Sequence, residues 1–87
     1  MKVKYDSDGD LVYVTVRPDH EERGGRRLDN SRILHVDKAG KAVAYEFLWV
    51  SNGISLEGIH PDDQELIRQA LDQTRPYDGA PDLTITM

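Results

Sequence analysis

The chain has 87 residues, of which 38% are hydrophobic and 31% charged, and its net charge is -5. This length supports one domain with a modest core, and no apolar run approaches the roughly 20 residues that a membrane helix needs. The lack of cysteine excludes disulfides and thiolate metal sites and agrees with a cytoplasmic protein, and the negative charge argues against general binding to a nucleic-acid backbone. The first residues enter a strand pattern directly, so no signal peptide is expected.

The first predicted element is a β-hairpin at the N-terminus. An Asp-x-x-Gly turn at residues 6–9 separates two alternating apolar runs, and this spacing suits a type I turn closed by a left-handed glycine. We expect strands at about residues 2–5 and 10–17. The register of such a turn places Asp6 opposite Asp10, a like-charge pair that should destabilise the hairpin.

A segment that is dense in both charges follows, at residues 18–30. Its Gly24-Gly25 pair suits a turn, and a short edge strand is expected near residues 26–29. Arginines are concentrated here, and one interpretation is a surface for an acidic partner or for RNA. The other is a solvated loop, because neighbouring carboxylates nearly cancel the positive charge. The candidate binding residues are Arg23, Arg26, Arg27 and Arg32.

The second predicted hairpin repeats the Asp-x-x-Gly layout at residues 37–40. Here Lys41 faces Asp37, so the pair across the turn has opposite charges. Beyond the turn, the expected register puts His35 and Glu46 on opposite faces of the sheet.

Both faces of the predicted sheet carry apolar side chains, whereas a half-solvated sheet alternates apolar with polar residues more cleanly. One predicted face combines Val3, Tyr5, Leu11 and Tyr13, and the other combines Val12, Val14 and Val16. A single short helix covers only one face. We therefore expect a symmetric homodimer that buries the second face, with long loops folding over it as the alternative.

The C-terminal part predicts a helix and a tail. Pro61 suits a first helical position, acidic residues follow it, and apolar residues then recur at helical spacing. We expect this helix at residues 61–74. In the tail, residues 76–87, prolines exclude a helix from residues 76–81, and the alternating end predicts a short strand or a docking arm. The whole pattern indicates an α+β fold in a single domain, residues 1–87, with a two-hairpin antiparallel sheet at residues 2–50.

The hairpins share their motifs with a known family. The first carries Tyr5-Asp6, three variable residues, Asp10 and a strand with Tyr13, and the second carries an apolar strand, Asp-x-x-Gly and the run Val43-Ala44-Tyr45-Glu46-Phe47-Leu48. In these motifs residues 2–48 resemble the small, mostly bacterial proteins known as domain of unknown function 2283. The resemblance implies a small β-rich fold and, as for some members, a small toxin as protein partner. It implies no enzymatic activity.

The first turn also contains a candidate cation site, formed by Asp6, Asp8 and Asp10. Asp-x-Asp-x-Asp opens calcium-binding loops, which need glycine at the sixth position and glutamate at the twelfth. Those positions hold Leu11 and Arg17, so a complete calcium loop is excluded. Two interpretations remain: an exposed turn whose aspartate binds backbone amides, or a weak cation site that relieves the repulsion between the two facing aspartates.

Glu46 is the odd charge in an apolar strand, and a charge among apolar neighbours needs a partner. We expect that partner to be an arginine of the same chain or of a dimer mate, with a catalytic carboxylate as the alternative. His35 is expected to be partly buried with one nitrogen hydrogen-bonded, or else a base or ligand. No nucleophile, histidine pair or phosphate loop is tied to them by spacing, so no catalytic residue, metal or cofactor is predicted.

These observations favour a non-enzymatic, homodimeric protein-interaction module, antitoxin-like in the sense of the family resemblance. The alternative is a small-molecule or nucleic-acid binding module in which Tyr45, Phe47 and Trp49 stack bases beside the arginines. The third hypothesis is an enzyme that uses Glu46, His35 and an arginine. The predicted register disfavours it, because it keeps the glutamate and the histidine apart.

Overall fold

The structure, a computed structural model, describes residues 2–73 and 85–86. Its elements follow in this order: β1 (Lys2–Asp6), β2 (Leu11–Thr15), β3 (Gly24–Asp29), β4 (Arg32–Val36), β5 (Ala42–Leu48), a 3-10 helix (Val50–Asn52), β6 (Ile54–Ser55), α1 (Pro61–Gln73) and β7 (Ile85–Thr86). No helix in the described part is long and apolar enough to cross a membrane.

Strands β1 to β5 form one antiparallel sheet in the order β1-β2-β5-β4-β3, and β6 pairs with β7 in parallel. Both predicted hairpins are confirmed, as β1-β2 and β4-β5. The predicted edge strand is confirmed as β3, and the tail strand as β7. Strand β5 lies at the centre, which suits a sequence that is apolar on both faces. The fold is therefore α+β, as predicted.

The predicted register of the first hairpin is wrong by one residue. Asp6 pairs with Leu11, not with Asp10. The left-handed residue of the turn is Asp10, with φ of 52°, rather than Gly9. A one-residue slip moves side chains to the other face of the sheet relative to the partner strand. The two strands therefore share an apolar face whose members are Val3, Tyr5, Val12 and Val14.

The second turn follows the prediction. Gly40 is left-handed, with φ of 85°, and its amide donates to the Asp37 carbonyl at 3.0 Å. The Asp37 amide donates to the Lys41 carbonyl at 2.9 Å, so these residues face each other as expected. The Asp37 carboxylate also accepts the amides of Ala39 and Lys41, both at 2.9 Å. The Asp-x-x-Gly motif thus forms the expected turn here and a different one in the first hairpin.

Beyond this turn a β-bulge at Val43 shifts the register by one residue. The Val43 carbonyl faces β2 and accepts the amide of Arg17 at 3.1 Å. His35 then pairs with Ala44. Because Glu46 lies two positions further along the same strand, it shares a face with Ala44 and hence with His35. The prediction that His35 and Glu46 lie on opposite faces is wrong.

The apolar face of the sheet packs against α1 and the segment before it. Helix α1 begins at Pro61 as predicted, and the His60 imidazole accepts the Asp62 amide at 3.1 Å, in the manner of an N-cap. The predicted end at residue 74 lies outside the described residues. The core consists mainly of Val12, Val14, Leu34, Tyr45, Phe47, Val50, Ile54, Leu56, Ile59, Ile67, Ala70 and Leu71.

The opposite face of the sheet is less apolar than predicted, because the corrected register moves Val3 and Tyr5 to the helix side. Glu22, in the segment between β2 and β3, contacts this second face through Tyr13 and His35. The alternative that a long loop folds over the second face is therefore found for part of it. Whether a second copy of the chain covers the rest stays a prediction.

Candidate functional site

Trp49 is the most prominent exposed side chain in the described part of the molecule. It is 52% exposed and lies directly after β5, with a left-handed backbone at φ of 51°. This conformation is strained for a bulky side chain and persists only where its surroundings impose it. The backbone of Trp49 is therefore held by its neighbours.

Asp10 holds the turn that follows Trp49. The Asp10 carboxylate accepts the Ser51 amide at 3.0 Å and the Ser51 hydroxyl at 2.6 Å. The Asp10 carbonyl also accepts the Val50 amide at 3.0 Å. Asp10 and Trp49 are the non-glycine residues with positive φ in the described chain, so the two strained turns are locked together.

The two large apolar side chains that are exposed among the described residues lie at the same end of the sheet. Strands β1, β3 and β5 run in the same direction, so their C-terminal ends meet there. Leu28, which is 36% exposed, is next to last in β3, and Trp49 follows β5. We call Asp10, Leu28, Trp49 and Ser51 the Trp49 end. A hollow of about 290 Å³ lies beside Trp49 and is lined in part by Ser31 and Asn52.

The three aspartates of the first turn have separate roles. The Asp6 carboxylate accepts the amides of Asp8 and Gly9, at 3.0 and 3.2 Å, and so closes the turn on itself. The Asp10 carboxylate points instead to Ser51. Among residues 2–73, no group of three or more histidine or acidic side chains is arranged to hold a metal ion. The carboxylates of Asp6 and Asp10 therefore have hydrogen-bond partners within the chain, and the two residues do not face each other.

The four candidate arginines do not form one surface. Arg26 and Arg27 are neighbours in β3 and so lie on opposite faces. Arg23 makes an exposed ion pair with Glu21 at 3.3 Å, which contributes little. Arg32 is largely buried, and its guanidinium makes the hydrogen bonds described next.

Arg32 forms hydrogen bonds that connect separate segments of the fold. It donates to the Asp29 carboxylate at 2.8 and 3.0 Å, and to the carbonyls of Ser55 and Glu57. The hydrogen bonds from Arg32 and from the Ser31 amide lower the pKa of Asp29 to about 2. Arg32 thereby ties β4 to the segment around β6.

His35 is the within-chain partner of Glu46, in place of the expected arginine. Its Nε2 lies 3.1 Å from Glu46 Oε1. Its Nδ1 lies 3.2 Å from Glu22 Oε2 but is not aligned for a hydrogen bond with any described residue. The expectation of a partly buried histidine with one bonded nitrogen is confirmed.

Tyr13 completes this network. Its hydroxyl donates to Glu22 at 2.8 Å, and its ring centroid lies 5.1 Å from that of His35. Burial raises the pKa of Tyr13 to about 12, and the hydrogen bond to Glu22 adds to the shift. Sequence analysis did not identify Tyr13 and Glu22 as site residues. Glu22 lies in a loop without periodicity, so nothing in the local sequence marks it as the partner of Tyr13.

The network brings together one histidine and two carboxylates. Glu22 and Glu46 lie against different nitrogens of the His35 ring, so each nitrogen has a carboxylate next to it. The same arrangement keeps the two carboxylates from converging on one ion. The cluster instead fixes Tyr13 and Glu46 on the sheet.

The predicted aromatic row does not form a binding surface. Tyr45 and Phe47 are buried in the core, and their rings stack with centroids 6.5 Å apart. Trp49 is the member that reaches the surface. Comparison with models of known families, with curated proteins and with solved structures finds no match to this chain.

Proposed function

We propose that this chain is a non-enzymatic protein-interaction module that binds its partner through the Trp49 end. The observation that carries the proposal is a half-exposed tryptophan on a strained backbone that Asp10 holds in place. Tryptophan is enriched among the residues that dominate interface energies, and a backbone that is already held in place loses little entropy on binding. Leu28 supplies a second apolar group at the same end of the sheet.

We extend the proposal to self-association. A surface that binds its own copy about a twofold axis brings each Trp49 against the partner and buries both. The resemblance to domain of unknown function 2283 supports a small toxin as the further partner to test, and the absence of cysteine supports a cytoplasmic location. The second face of the sheet is a weaker candidate interface than the sequence predicts, because the loop around Glu22 covers part of it.

Size-exclusion chromatography with light scattering tests this proposal. We expect the wild-type chain to have the mass of two copies and Trp49→Ala the mass of one, without loss of thermal stability. Asp10→Ala should weaken the dimer through the loosened turn. Lys38→Ala is the control, since this exposed residue lies in the turn at the opposite end of the sheet.

The tryptophan itself provides a second measurement, because Trp49 is the single tryptophan of the chain. Its fluorescence emission should shift to shorter wavelength as concentration rises and the ring becomes buried. A wild-type monomer at all concentrations with unchanged emission would contradict the dimer. A Trp49→Ala chain that still dimerises would contradict the assigned surface.

A further inference from the structure

A hollow of about 580 Å³ lies on the sheet face opposite α1, over β1 and β2. Its volume falls in the range of about 300–1,000 Å³ that is usual for small-molecule sites. The residues that line it include Lys4, Asp6, Ser7, Leu11, Tyr13 and Glu46. It contains none of the residues of the Trp49 end.

Lys4, Tyr13 and Glu46 form a row across three adjacent strands at the floor of this hollow. Tyr13 pairs directly with Lys4 on one side and with Glu46 on the other, so all three share one face. Since neighbouring strands are about 4.8 Å apart, the outer two backbones are separated by about 10 Å. Among the described residues no ion pair joins Lys4 to Glu46. A positive and a negative group thus flank an aromatic ring with space between them.

The network behind this row holds two of its members in place. The Tyr13 hydroxyl is bonded to Glu22, and Glu46 Oε1 is bonded to His35. Tyr13 also contacts the His35 ring. Groups on strands that are fixed by a supporting layer are typical of built binding sites, whereas scattered surface charges have no such support. This role accounts for the otherwise unexplained cluster of Glu22, His35 and Glu46.

We propose that this hollow binds a small zwitterion, a molecule that carries both an ammonium and a carboxylate group, such as a free amino acid. The ammonium group lies between Glu46 and the face of Tyr13, which attracts it through charge pairing and a cation–π contact. Lys4 binds the carboxylate. Leu11 contacts the apolar part of the ligand. The two carboxylates that line the hollow outnumber its one ammonium, so a ligand with a carboxylate alone is disfavoured.

A titration followed by amide NMR shifts of the full chain tests the ligand class. The probes are L-leucine, isoamylamine, which lacks the carboxylate, and 4-methylpentanoate, which lacks the ammonium group. We expect saturable shifts centred on Lys4, Tyr13 and Glu46, with leucine at about millimolar affinity and the amine at least fivefold weaker. The carboxylate should not saturate. Equal binding of the three probes, or no saturation by leucine, would overturn the proposal.

Variants separate this site from general surface binding. Lys4→Met keeps the aliphatic stem and Glu46→Gln keeps the shape, and each should weaken leucine binding at least tenfold. Lys38→Met, an exposed lysine in the second turn, is the matched control and should leave it unchanged. Lys4 is exposed, so its variant folds and decides the test even if Glu46→Gln disturbs His35. Wild-type affinity in Lys4→Met would overturn the assignment. Failure here leaves the dimer measurements unaffected, since they use other residues.

Discussion

Asp63 joins three parts of the molecule through its two carboxylate oxygens. It lies in the first turn of α1, is 5% exposed, and accepts the Arg17 guanidinium at 2.7 Å and the Tyr45 hydroxyl at 2.5 Å. Burial alone would raise the pKa of Asp63, but the hydrogen bonds from Arg17 and Tyr45 outweigh it and lower that pKa. The carboxylate is therefore charged at neutral pH and links the helix to β5 and to the end of β2.

Asp63→Asn should lower the free energy of unfolding by about 3 kcal/mol, because it leaves the largely buried Arg17 without its charge partner. Urea unfolding followed by circular dichroism measures the change. Asp62→Asn is the matched control, since Asp62 is the neighbouring acidic residue and its side chain is 84% exposed. We expect the control to lose only a few tenths of a kcal/mol of helix-dipole interaction. Equal effects of the two substitutions would contradict the assigned role of Asp63.

At the scale of elements, the two Asp-x-x-Gly turns show how far sequence determines this fold. The hairpins, the edge strand and the start of α1 depend on neighbouring residues, and their patterns predicted them. The register of the first hairpin could not be predicted in the same way, because contacts distant in sequence determine it. Asp10 takes the left-handed position while its carboxylate binds Ser51, which is 41 residues away. The local sequences of the two turns differ in the residue after the glycine, Asp10 against Lys41, but this difference does not reveal the contact with Ser51.

The bulge at Val43 also depends on a contact that is distant in sequence, and it determines which residues of the candidate site come together. Its carbonyl accepts the amide of Arg17, in the segment after β2, a contact that the sequence of β5 alone does not reveal. The shift that it introduces places His35 beside Glu46 and thereby forms the network that supports Tyr13. Alternation along a strand predicts the face of each residue only up to the first bulge. His35 and Glu46 were identified from the sequence, but Glu22 and the assembly of the network were not.

Alanine substitutions of the two turn glycines distinguish the turns. Gly40→Ala should lower the free energy of unfolding by about 1 kcal/mol or more, because φ of 85° is strained for any side chain. Gly9→Ala should have less than half that effect. Its backbone is not left-handed, and the atom closest to the added methyl is the movable end of Leu11, at 3.0 Å. Chemical denaturation of both variants measures the difference. Equal losses would support the symmetric pair of turns that the sequence predicts.

At the scale of the whole molecule, charged side chains hold together elements that are far apart in the chain. Asp63 links α1 to the sheet, and Asp29 with Arg32 links β4 to the segment around β6. Asp37 binds the His20 ring at 2.8 Å and so fastens the loop before β3 to the second turn. Three carboxylates thus anchor helix, loop and strand, and each must be ionised to do so.

Stability should therefore fall at acidic pH. The pKa of Asp63, Asp29 and Asp37 is lower in the folded chain than the value of about 3.9 for an unfolded aspartate. Such groups stabilise the fold above the unfolded value, and their contribution is lost as pH falls through the folded value. The unfolding free energy should hold steady from pH 7 to about pH 5 and decline from about pH 4 downwards. Urea midpoints at pH 7, 5, 4 and 3 measure it.

Asp63→Asn separates the buried ion pair from the other two carboxylates in this acid transition. The variant lacks the Asp63 contribution at every pH, so its stability curve should approach that of the wild type as pH falls, because protonation of Asp63 in the unfolded chain progressively removes its contribution from the wild type. Asp29 and Asp37 should leave a shallower decline in the variant, because their contributions remain while that of Asp63 is absent. Parallel curves for variant and wild type between pH 5 and 3 would mean that Asp63 does not titrate with unfolding. The loss of stability in acid would then come from Asp29 and Asp37, and Arg17 would keep its place on the sheet without a charged partner.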